Sequence, residues 1–347
     1  MTDPHPDGLY QSLSGPDADG LGDASDPDIA LRPRNFSEFV GQDRVTENLL
    51  TWIEAARRRS STLDHVLLSG PPGLGKTTLA HLISSAMSAP LKVTSGPALE
   101  RAGDLVGLLT GLSEGEVLFV DEIHRLPRVV EEYLYAAMED LVVDVIIDQG
   151  PAAQSVRLSV APFTLIGATT REGLLTQPLR NRFGIVEKLA PYATDEIRQI
   201  LSRSARRLET VLVDGAAQAV AERSRGVPRV ANRLLRRLRD VAELAGDKGI
   251  TMPVVDQGLS MLGIDALGLE DMDRRILTCL AQLGGGPCGL GTLAVAVGEE
   301  RDTLELVYEP HLIRLGFLLR TPRGRMLTDA ARLHLGLPGG ADGHRPS

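Results

Sequence analysis

The stretch His65-Val66-Leu67-Leu68-Ser69-Gly70-Pro71-Pro72-Gly73-Leu74-Gly75-Lys76-Thr77-Thr78 decides the fold of this 347-residue chain. It runs from an apolar segment through a glycine-rich loop into the amphipathic segment 77–87, which predicts a strand, a phosphate-binding loop and a helix. The glycines let backbone N–H groups close around phosphates, Lys76 reaches the outer phosphate oxygens, and the Thr77 hydroxyl can ligate Mg²⁺. A chance glycine turn is the alternative, and the flanking strand and helix argue against it.

A second apolar run, 116–120, ends in Asp121 and Glu122. Because parallel strands end at the same edge of a sheet, we expect both carboxylates beside the phosphate-binding loop. Asp121 is expected to hold Mg²⁺ through water, and Glu122 to polarise the water that attacks ATP. His124 is expected to begin the following helix rather than to act as a base.

Short apolar runs alternate with amphipathic stretches from Leu31 to about Tyr192, which predicts a parallel sheet covered by helices. The pattern then becomes purely helical up to about residue 265. Thr194 is expected to cap the first of these helices and Asp214 to open another. The sequence therefore predicts an α/β P-loop domain at 31–192, followed by a small all-helical domain at 193–265.

A third region, 266–337, follows a glycine-containing linker. Helices are expected near 272–283, 290–297 and 301–315, followed by a strand at 317–319 and the turn Thr321-Pro322-Arg323-Gly324. Three helices closed by a strand, a turn and a strand predict a C-terminal winged helix. We expect the turn to hold Arg320, Arg323 and Arg325 outward, where they suit contact with DNA phosphates; a solvated basic wing is the alternative.

Alternating apolar residues at 142–160 flank Gln149-Gly150-Pro151 and predict an inserted β-hairpin. Val145, Ile146 and Ile147 are too apolar for a free hairpin tip. Two explanations remain open from the residues: the hairpin packs against its own domain, or it docks a partner protein.

The net charge of −9 is concentrated at the N-terminus. Residues 1–30 hold seven aspartates and no Lys or Arg, and they are rich in Pro, Gly and Ser, which predicts a disordered tail; 338–347 are expected to be flexible too. The absence of a long apolar run or a signal-like N-terminus excludes a membrane span and predicts a cytoplasmic protein. Cys279 and Cys288 lack the companions that a zinc site needs.

The chain resembles the RuvB family of Holliday-junction branch-migration ATPases, which belong to the AAA+ class. The resemblance covers roughly Leu31 to Gly336 and is carried by motifs in a fixed order. Besides the phosphate-binding loop they are Leu31-Arg32-Pro33, Phe39-Val40-Gly41-Gln42, Asp121-Glu122-Ile123-His124-Arg125-Leu126, Gly167-Ala168-Thr169-Thr170-Arg171, Leu179-Arg180-Asn181-Arg182-Phe183-Gly184, Gly226-Val227-Pro228-Arg229 and Arg320-Thr321-Pro322-Arg323-Gly324-Arg325.

The resemblance implies roles within the nucleotide site. Thr169 would be the first sensor of the γ-phosphate, with Thr170 as the less favoured candidate, and Arg229 would be the second sensor. The base and ribose would be lined by Leu31, Arg32 and Tyr192; the alternatives are a surface packing role for Tyr192 and a solvated Arg32. Glu139, Asp140 and Leu141 would face a neighbouring subunit's nucleotide, although the family usually has an aromatic residue at the position of Leu141.

The resemblance also implies a ring. Arg182 would project from the α/β domain as a finger that reaches the next subunit's ATP, with Arg180 as the competing candidate. Membership of this family would imply ATP and Mg²⁺ as cofactors and a homohexamer. It would also imply binding to double-stranded DNA at four-way junctions, docking of a RuvA-type partner on the hairpin by Val145, Ile146 and Ile147, and a RuvC-type resolvase in the same pathway. Two other functions stay open: a clamp loader, whose C-terminal domain would be a helical collar, and a DNA-binding regulator that holds ATP as a switch.

Overall fold

The computed structural model describes residues 29–147 and 154–338 of the chain. Residues 1–28 of the predicted disordered tail, the hairpin turn Gln149-Gly150-Pro151 and most of the C-terminal segment therefore lie outside the described residues, as do the side chains of Ile146 and Ile147. No helix in the described ranges is long and apolar enough to cross a membrane.

The first domain is built on a parallel sheet. Its region contains the strands β1 (Val66–Ser69), β2 (Leu91–Ser95), β3 (Val117–Asp121), β4 (Val142–Ile147), β5 (Gln154–Ser159), β6 (Thr164–Thr169) and β7 (Ile185–Lys188). Five of them form the sheet in the order β2-β3-β6-β1-β7, and β4 and β5 pair separately as an antiparallel hairpin. The predicted alternation of strands and helices and the predicted hairpin are both present.

Helices cover both faces of this sheet. They are α1 (Asp43–Arg58), α2 (Lys76–Met87), α3 (Ala102–Thr110), α4 (Arg128–Asp140) and α5 (Gln177–Asn181), with single 3₁₀ turns at Ile29–Leu31, Phe36–Glu38, Gly96–Ala98, Ile123–Arg125 and Glu172–Leu174. In β3, Val117 and Phe119 pack in the core beneath α1 and α2, whereas Leu118 and Val120 pack in the core beneath α3 and α4. Because both faces are buried, the strand reads as a continuous apolar run.

The second domain is a helical lid. It consists of α6 (Thr194–Arg207), α7 (Asp214–Arg223), α8 (Pro228–Ala245) and α9 (Met252–Met261), joined by a short parallel pair, β8 (Val211–Leu212) and β9 (Gly249–Ile250). The prediction that Thr194 caps α6 is wrong, because Thr194 is the first helical residue. The cap is Ala193, whose N–H donates to the Glu196 carboxylate at 2.6 Å. The lid core is continuous with the core beneath α1 and α2.

The third domain has the predicted winged-helix layout. Its elements are α10 (Asp271–Gln282), α11 (Leu290–Val297), α12 (Arg301–Thr303), a π-helical turn (Leu304–Tyr308), α13 (Glu309–Arg314), β10 (Leu318–Thr321), β11 (Gly324–Leu327) and α14 (Asp329–His334). The predicted third helix is thus interrupted by a widened turn before Pro310, which has no N–H to donate. Gly324 has φ 137°, and a Cβ there would lie 2.3 Å from the Cys288 carbonyl oxygen, so this position requires glycine.

Candidate nucleotide site, arginine finger and DNA-binding wing

The phosphate-binding loop joins β1 to α2, as the sequence predicts. Lys76 is buried, and its Nζ donates to the carbonyls of Gly70 at 2.8 Å and Pro71 at 3.0 Å. Burial lowers the pKa of Lys76, and the charges of Asp121 and Glu122 oppose that shift. Gly73 has φ 76°, and a Cβ there would lie 2.8 Å from Val227, so glycine is needed where the loop meets the lid.

The two predicted carboxylates lie at the same sheet edge as the loop, because β1 and β3 both flank β6. Asp121 accepts the Glu122 N–H at 2.9 Å. Burial raises the pKa of Asp121 and the charge of Glu122 adds to the shift, whereas the hydrogen bond from the Glu122 N–H and the charge of Lys76 counteract it. Glu122 itself has φ 46°, a left-handed conformation that turns the chain sharply after the strand.

The two threonines after β6 occupy different environments. The Thr169 side chain is fully buried; its hydroxyl lies 2.9 Å from His124 Nδ1 and accepts the Arg171 N–H at 3.0 Å. The Thr170 hydroxyl instead donates to Glu122 Oε2 at 3.0 Å. The Thr170 hydroxyl therefore lies beside the Glu122 carboxylate, whereas the Thr169 hydroxyl is buried against His124; the assignment of Thr169 rather than Thr170 as the first sensor stays a prediction.

His124 supports this region as a neutral side chain. Burial, followed by the charges of Arg171 and Arg125, lowers its pKa to about 4. Although Glu122 Oε2 lies 3.2 Å from His124 Nδ1, the two do not form an ion pair at neutral pH. His124 lies on the 3₁₀ turn Ile123–Arg125 after β3, and the expectation that it is not the base stays a prediction.

Tyr192, at the end of the first domain, and Arg229 of the lid lie beside the phosphate-binding loop. Tyr192 is buried and its hydroxyl donates to the Leu74 carbonyl at 3.1 Å, which excludes the alternative that it packs on the surface. Burial raises the pKa of Tyr192, so this hydroxyl stays a donor. The Arg229 N–H points to the Gly73 carbonyl at 3.4 Å, and the charge of Arg229 lowers the pKa of both Lys76 and Asp121. Arg229 therefore lies beside the phosphate-binding loop, and its role as the second sensor stays a prediction.

The N-terminal pair Leu31 and Arg32 lies beside the lid. Leu31 is buried, and Arg32 is half-buried. The Arg32 carbonyl accepts a hydrogen bond from Arg207 on α6. Both residues therefore lie where the first domain meets the lid.

Arg182 contacts residues of α4 and α5 in its own subunit, and its role as a finger stays a prediction. Its Nη2 pairs with Glu139 at 2.9 Å, its Nη1 donates to the Pro178 carbonyl at 2.9 Å, and its guanidinium lies 4.7 Å from the centre of the Tyr135 ring. The competing Arg180 is exposed and has Glu172 at 3.8 Å. Since these contacts are with residues of α4 and α5, the Arg182 side chain rests against α4 rather than in its own phosphate-binding loop.

Sequence reasoning missed Tyr135, although a signal was available. Glu131, Tyr135 and Glu139 are spaced four residues apart on α4, and such residues share one face of a helix. Of the predicted neighbour-facing residues, Glu139 and Asp140 are exposed, and Leu141 ends α4 in a left-handed conformation with φ 54°.

The base of the β4–β5 hairpin packs on its own domain. Val143 is fully buried in the core beneath α3 and α4, with Leu158 packed against it. Val145 is only half-buried and lies opposite the exposed Val156. Own-domain packing therefore accounts for the start of the hairpin, and its outer part keeps accessible apolar surface.

The wing holds its three arginines differently. Arg323, in the turn between β10 and β11, is exposed. The prediction that all three point outward is wrong for Arg325, which pairs with the buried Glu309 at 2.5 Å and has a side chain only 11% exposed. Arg320 is half-exposed and pairs with Glu305. A buried carboxylate needs a partner, and Glu309 takes Arg325 as that partner.

Ion pairs of Arg171 and Arg225 connect the domains. Arg171, which follows the two threonines, pairs with Asp302 at 2.8 Å and Glu305 at 3.0 Å of the winged helix. Arg225 of the lid pairs with Asp273 of the winged helix at 2.6 Å, and both side chains are buried. Sequence motifs did not identify these pairs, because each pair joins segments far apart in the chain.

Comparison with known proteins agrees with this architecture. Residues 31–189 match the Holliday junction DNA helicase RuvB P-loop domain, 192–265 the RuvB AAA lid domain and 266–336 the RuvB C-terminal winged helix domain. The Holliday junction branch migration complex subunit RuvB of Nocardioides sp. is 57% identical over 94% of this chain and 91% of that protein. The corresponding protein of Myxococcus xanthus is 58% identical over 87% of this chain and 88% of its own length.

A solved structure is similar throughout. The Thermotoga maritima RuvB Holliday junction branch migration motor has a TM-score of 0.82 at 47% identity, covering 89% of this chain and 99% of that one. Because three family models in succession cover the described domains and relatives share more than half of their residues with it, this nucleotide-binding, ATP-hydrolysing chain belongs to the RuvB family of AAA+ proteins.

Proposed function

We propose that this chain is the ATP-driven subunit of a homohexameric ring that translocates duplex DNA and so drives branch migration at four-way junctions. The observation that carries the proposal is the position of Arg182, which follows α5 just before the edge strand β7 and has its partners on α4 and α5. An arginine at an outer edge of the sheet can serve a neighbour's ATP only if subunits pack side by side. A ring satisfies this requirement at every interface.

The residues beside the phosphate-binding loop fit Mg²⁺. A Mg²⁺ ion in such a site takes one or two carboxylates together with phosphate oxygens and water. Asp121 and Thr77 supply a carboxylate and a hydroxyl, and no group of three or more His, Cys, Asp or Glu residues suited to a metal occurs within 29–147 and 154–338. Asp121 and Thr77 would hold the ion, which neutralises charge on the phosphates.

The remaining side chains would divide the work of hydrolysis. Glu122 would orient and polarise the attacking water, and the Thr170 hydroxyl would fix the Glu122 carboxylate. The buried Thr169 would act indirectly, through its contact with His124. Lys76 and Arg229 would hold the phosphates. The base and ribose would be lined by Leu31, Arg32 and Tyr192. The remaining nucleotide contacts from the two subunits would be completed by Gly70, Gly73, Gly75, Thr78, Glu139, Asp140 and Leu141.

The hairpin and the wing would provide the partner surfaces. Val145, Ile146 and Ile147 would dock a RuvA-type junction-binding protein, and the half-buried Val145 opposite an exposed valine supports this use. Arg323, with Arg320, would contact DNA phosphates, and a RuvC-type resolvase would act in the same pathway. We retain 31–192, 193–265 and 266–337 as the proposed domain limits.

One experiment tests the proposed function. The protein is incubated with ATP, Mg²⁺ and a synthetic four-way junction, with and without a RuvA-type protein, and conversion of the junction into duplex products is followed. We expect conversion that requires ATP and is stimulated by the partner, and none with Lys76→Ala. ATP binding and DNA binding without phosphate release would instead support the regulator, which holds ATP as a switch.

A further inference from the structure

The guanidinium of Arg182 is supported by the face of an aromatic ring. Its Cζ lies 4.7 Å from the centre of the Tyr135 ring, and the Arg182 side chain is 22% exposed. A cation over a ring is attracted to the ring face without consuming its in-plane N–H groups. Within the described part of the chain, Arg182 Nε is buried and has no hydrogen-bond partner. The stack therefore holds the guanidinium without using any of its N–H groups.

The hydroxyl of the same tyrosine fastens the helix that leads to Arg182. Tyr135 Oη donates to the buried Glu131 at 2.7 Å and lies 2.7 Å from the Thr176 hydroxyl, which itself lies 2.9 Å from the same Glu131 oxygen. Thr176 is the N-cap of α5, and Arg182 is its C-cap. Burial raises the pKa of Tyr135, so the hydroxyl stays protonated. One side chain thus fixes both ends of α5.

We propose that Tyr135 is a positioning residue for Arg182: its ring supports the guanidinium, and its hydroxyl anchors α5 to α4. This inference rests on the proposed role of Arg182 at the neighbouring subunit's ATP. An arginine side chain has many rotamers, and a guanidinium that acts across a subunit interface must keep one of them to meet the transferring phosphoryl group. Glu139 cannot supply this support alone, because it occupies the Nη2 donor itself.

The first test compares three variants of Tyr135 with a matched control. Tyr135→Met keeps a long side chain but removes the ring and the hydroxyl, Tyr135→Leu is a second non-aromatic variant, and Tyr135→Phe keeps the ring but removes the hydroxyl. Tyr133→Leu is the control, because Tyr133 is a half-buried tyrosine on the same helix and its position two residues away places it on a different face from Tyr135. We expect kcat of the DNA-stimulated ATPase to fall roughly ten- to a hundredfold in the non-aromatic variants and less in Tyr135→Phe, with KM for ATP unchanged.

The second test locates the defect by mixing subunits. Tyr135→Met subunits mixed with Lys76→Ala subunits should regain activity, because Lys76→Ala supplies an intact finger to the intact phosphate-binding loop of Tyr135→Met. A mixture with Arg182→Ala should not regain it, because both subunits then lack a working finger. A merely structural role would not produce this pattern, and ring assembly and melting temperature are measured for every variant.

The proposal and the proposed role of Arg182 can fail separately. Recovery with Arg182→Ala instead of Lys76→Ala would mean that Tyr135 serves its own subunit's site, which overturns the proposal. Unchanged kcat in assembled rings of both non-aromatic variants, or an equal loss in Tyr135→Phe, would overturn it as well. The pair Arg182→Ala with Lys76→Ala is run as a reference: if that pair stays inactive in assembled rings, the assignment of Arg182 itself is wrong.

Discussion

At the scale of single residues, burial decides which groups are left to react. Thr169 and His124 satisfy each other beneath the site, whereas Thr170 and Glu122 meet at its surface. The sequence contains two adjacent threonines and does not distinguish their roles, because these roles depend on which side chain is buried at the end of β6 and which lies in the loop that follows. The phosphate-binding loop was predictable to the residue, since its chemistry is local and its spacing fixed.

The two threonines can be separated by substitution. Thr170→Val should leave ATP binding intact and lower kcat roughly 10- to 100-fold, because Glu122 loses the donor that orients it. Thr169→Val should mainly lower stability, by about 1–3 kcal/mol, because the Arg171 N–H and His124 lose their buried partner. Steady-state ATPase with a direct nucleotide-binding measurement and denaturant unfolding checks both. A larger kcat loss in a well-folded Thr169→Val would support Thr169 as the first sensor.

At the scale of elements, the wing shows how a neighbouring element redirects a side chain. The local sequence of β10 and β11 gives three arginines around a tight turn, and nothing in it distinguishes Arg325 from Arg323. The distinction comes from Glu309 on α13, which is 1% exposed and forms an ion pair with Arg325. Winged-helix architecture was predictable from the order of helices and strands, but the direction of its arginines was not, because it depends on a tertiary contact.

The wing arginines should therefore respond differently to substitution. Arg323→Ala should change unfolding free energy by less than about 0.5 kcal/mol, since the side chain is exposed. It should weaken DNA binding uniformly across sequences and reduce the slope of log affinity against log salt by about one. Arg325→Ala should cost about 3 kcal/mol of stability, because Glu309 stays buried without its closest partner. Binding curves at several salt concentrations and urea unfolding test both; an unchanged slope in Arg323→Ala removes it from the DNA contact.

The junction between lid and winged helix should be sensitive to acid. His311 is buried, its Nε2 donates to the Leu267 carbonyl at 3.1 Å, and burial together with the charges of Arg225 and Arg314 lowers its pKa to about 4. The unfolded chain takes up this proton near pH 6.5 and the folded chain only near pH 4. The contribution of the neutral His311 to the free energy of unfolding is therefore fully present above pH 6.5 and is lost as the pH drops toward 4.

A variant isolates this contribution. His311→Gln keeps a donor for Leu267 but no ionisable ring, so between pH 7.5 and pH 5 it should lose less stability than the wild type, by about 2 kcal/mol at most. Melting temperatures of both proteins across this range measure the difference. Some pH dependence should remain in the variant, because His124 has a similarly lowered pKa of about 4. Parallel curves for the two proteins would show that His311 contributes nothing.

At the scale of the whole molecule, ion pairs connect the nucleotide site to the wing. Arg171, one residue after Thr170, shares Glu305 with Arg320 of the wing. Arg225, a few residues before Arg229, is paired with the buried Asp273 of the winged helix. The three domains were predictable from changes in periodicity, but these connections were not, because each joins residues brought together only by the fold.

The central claim is that neighbouring subunits share each ATP site, and mixed rings test it most directly. Arg182→Ala and Lys76→Ala subunits are each assayed for DNA-stimulated phosphate release, then mixed in varying ratios, with ring assembly followed by sedimentation. We predict that each variant alone is inactive and that mixtures regain activity, with a maximum at intermediate ratios, because some interfaces join an intact finger to an intact phosphate-binding loop. Mixtures that remain inactive while both variants enter the same rings would contradict the claim.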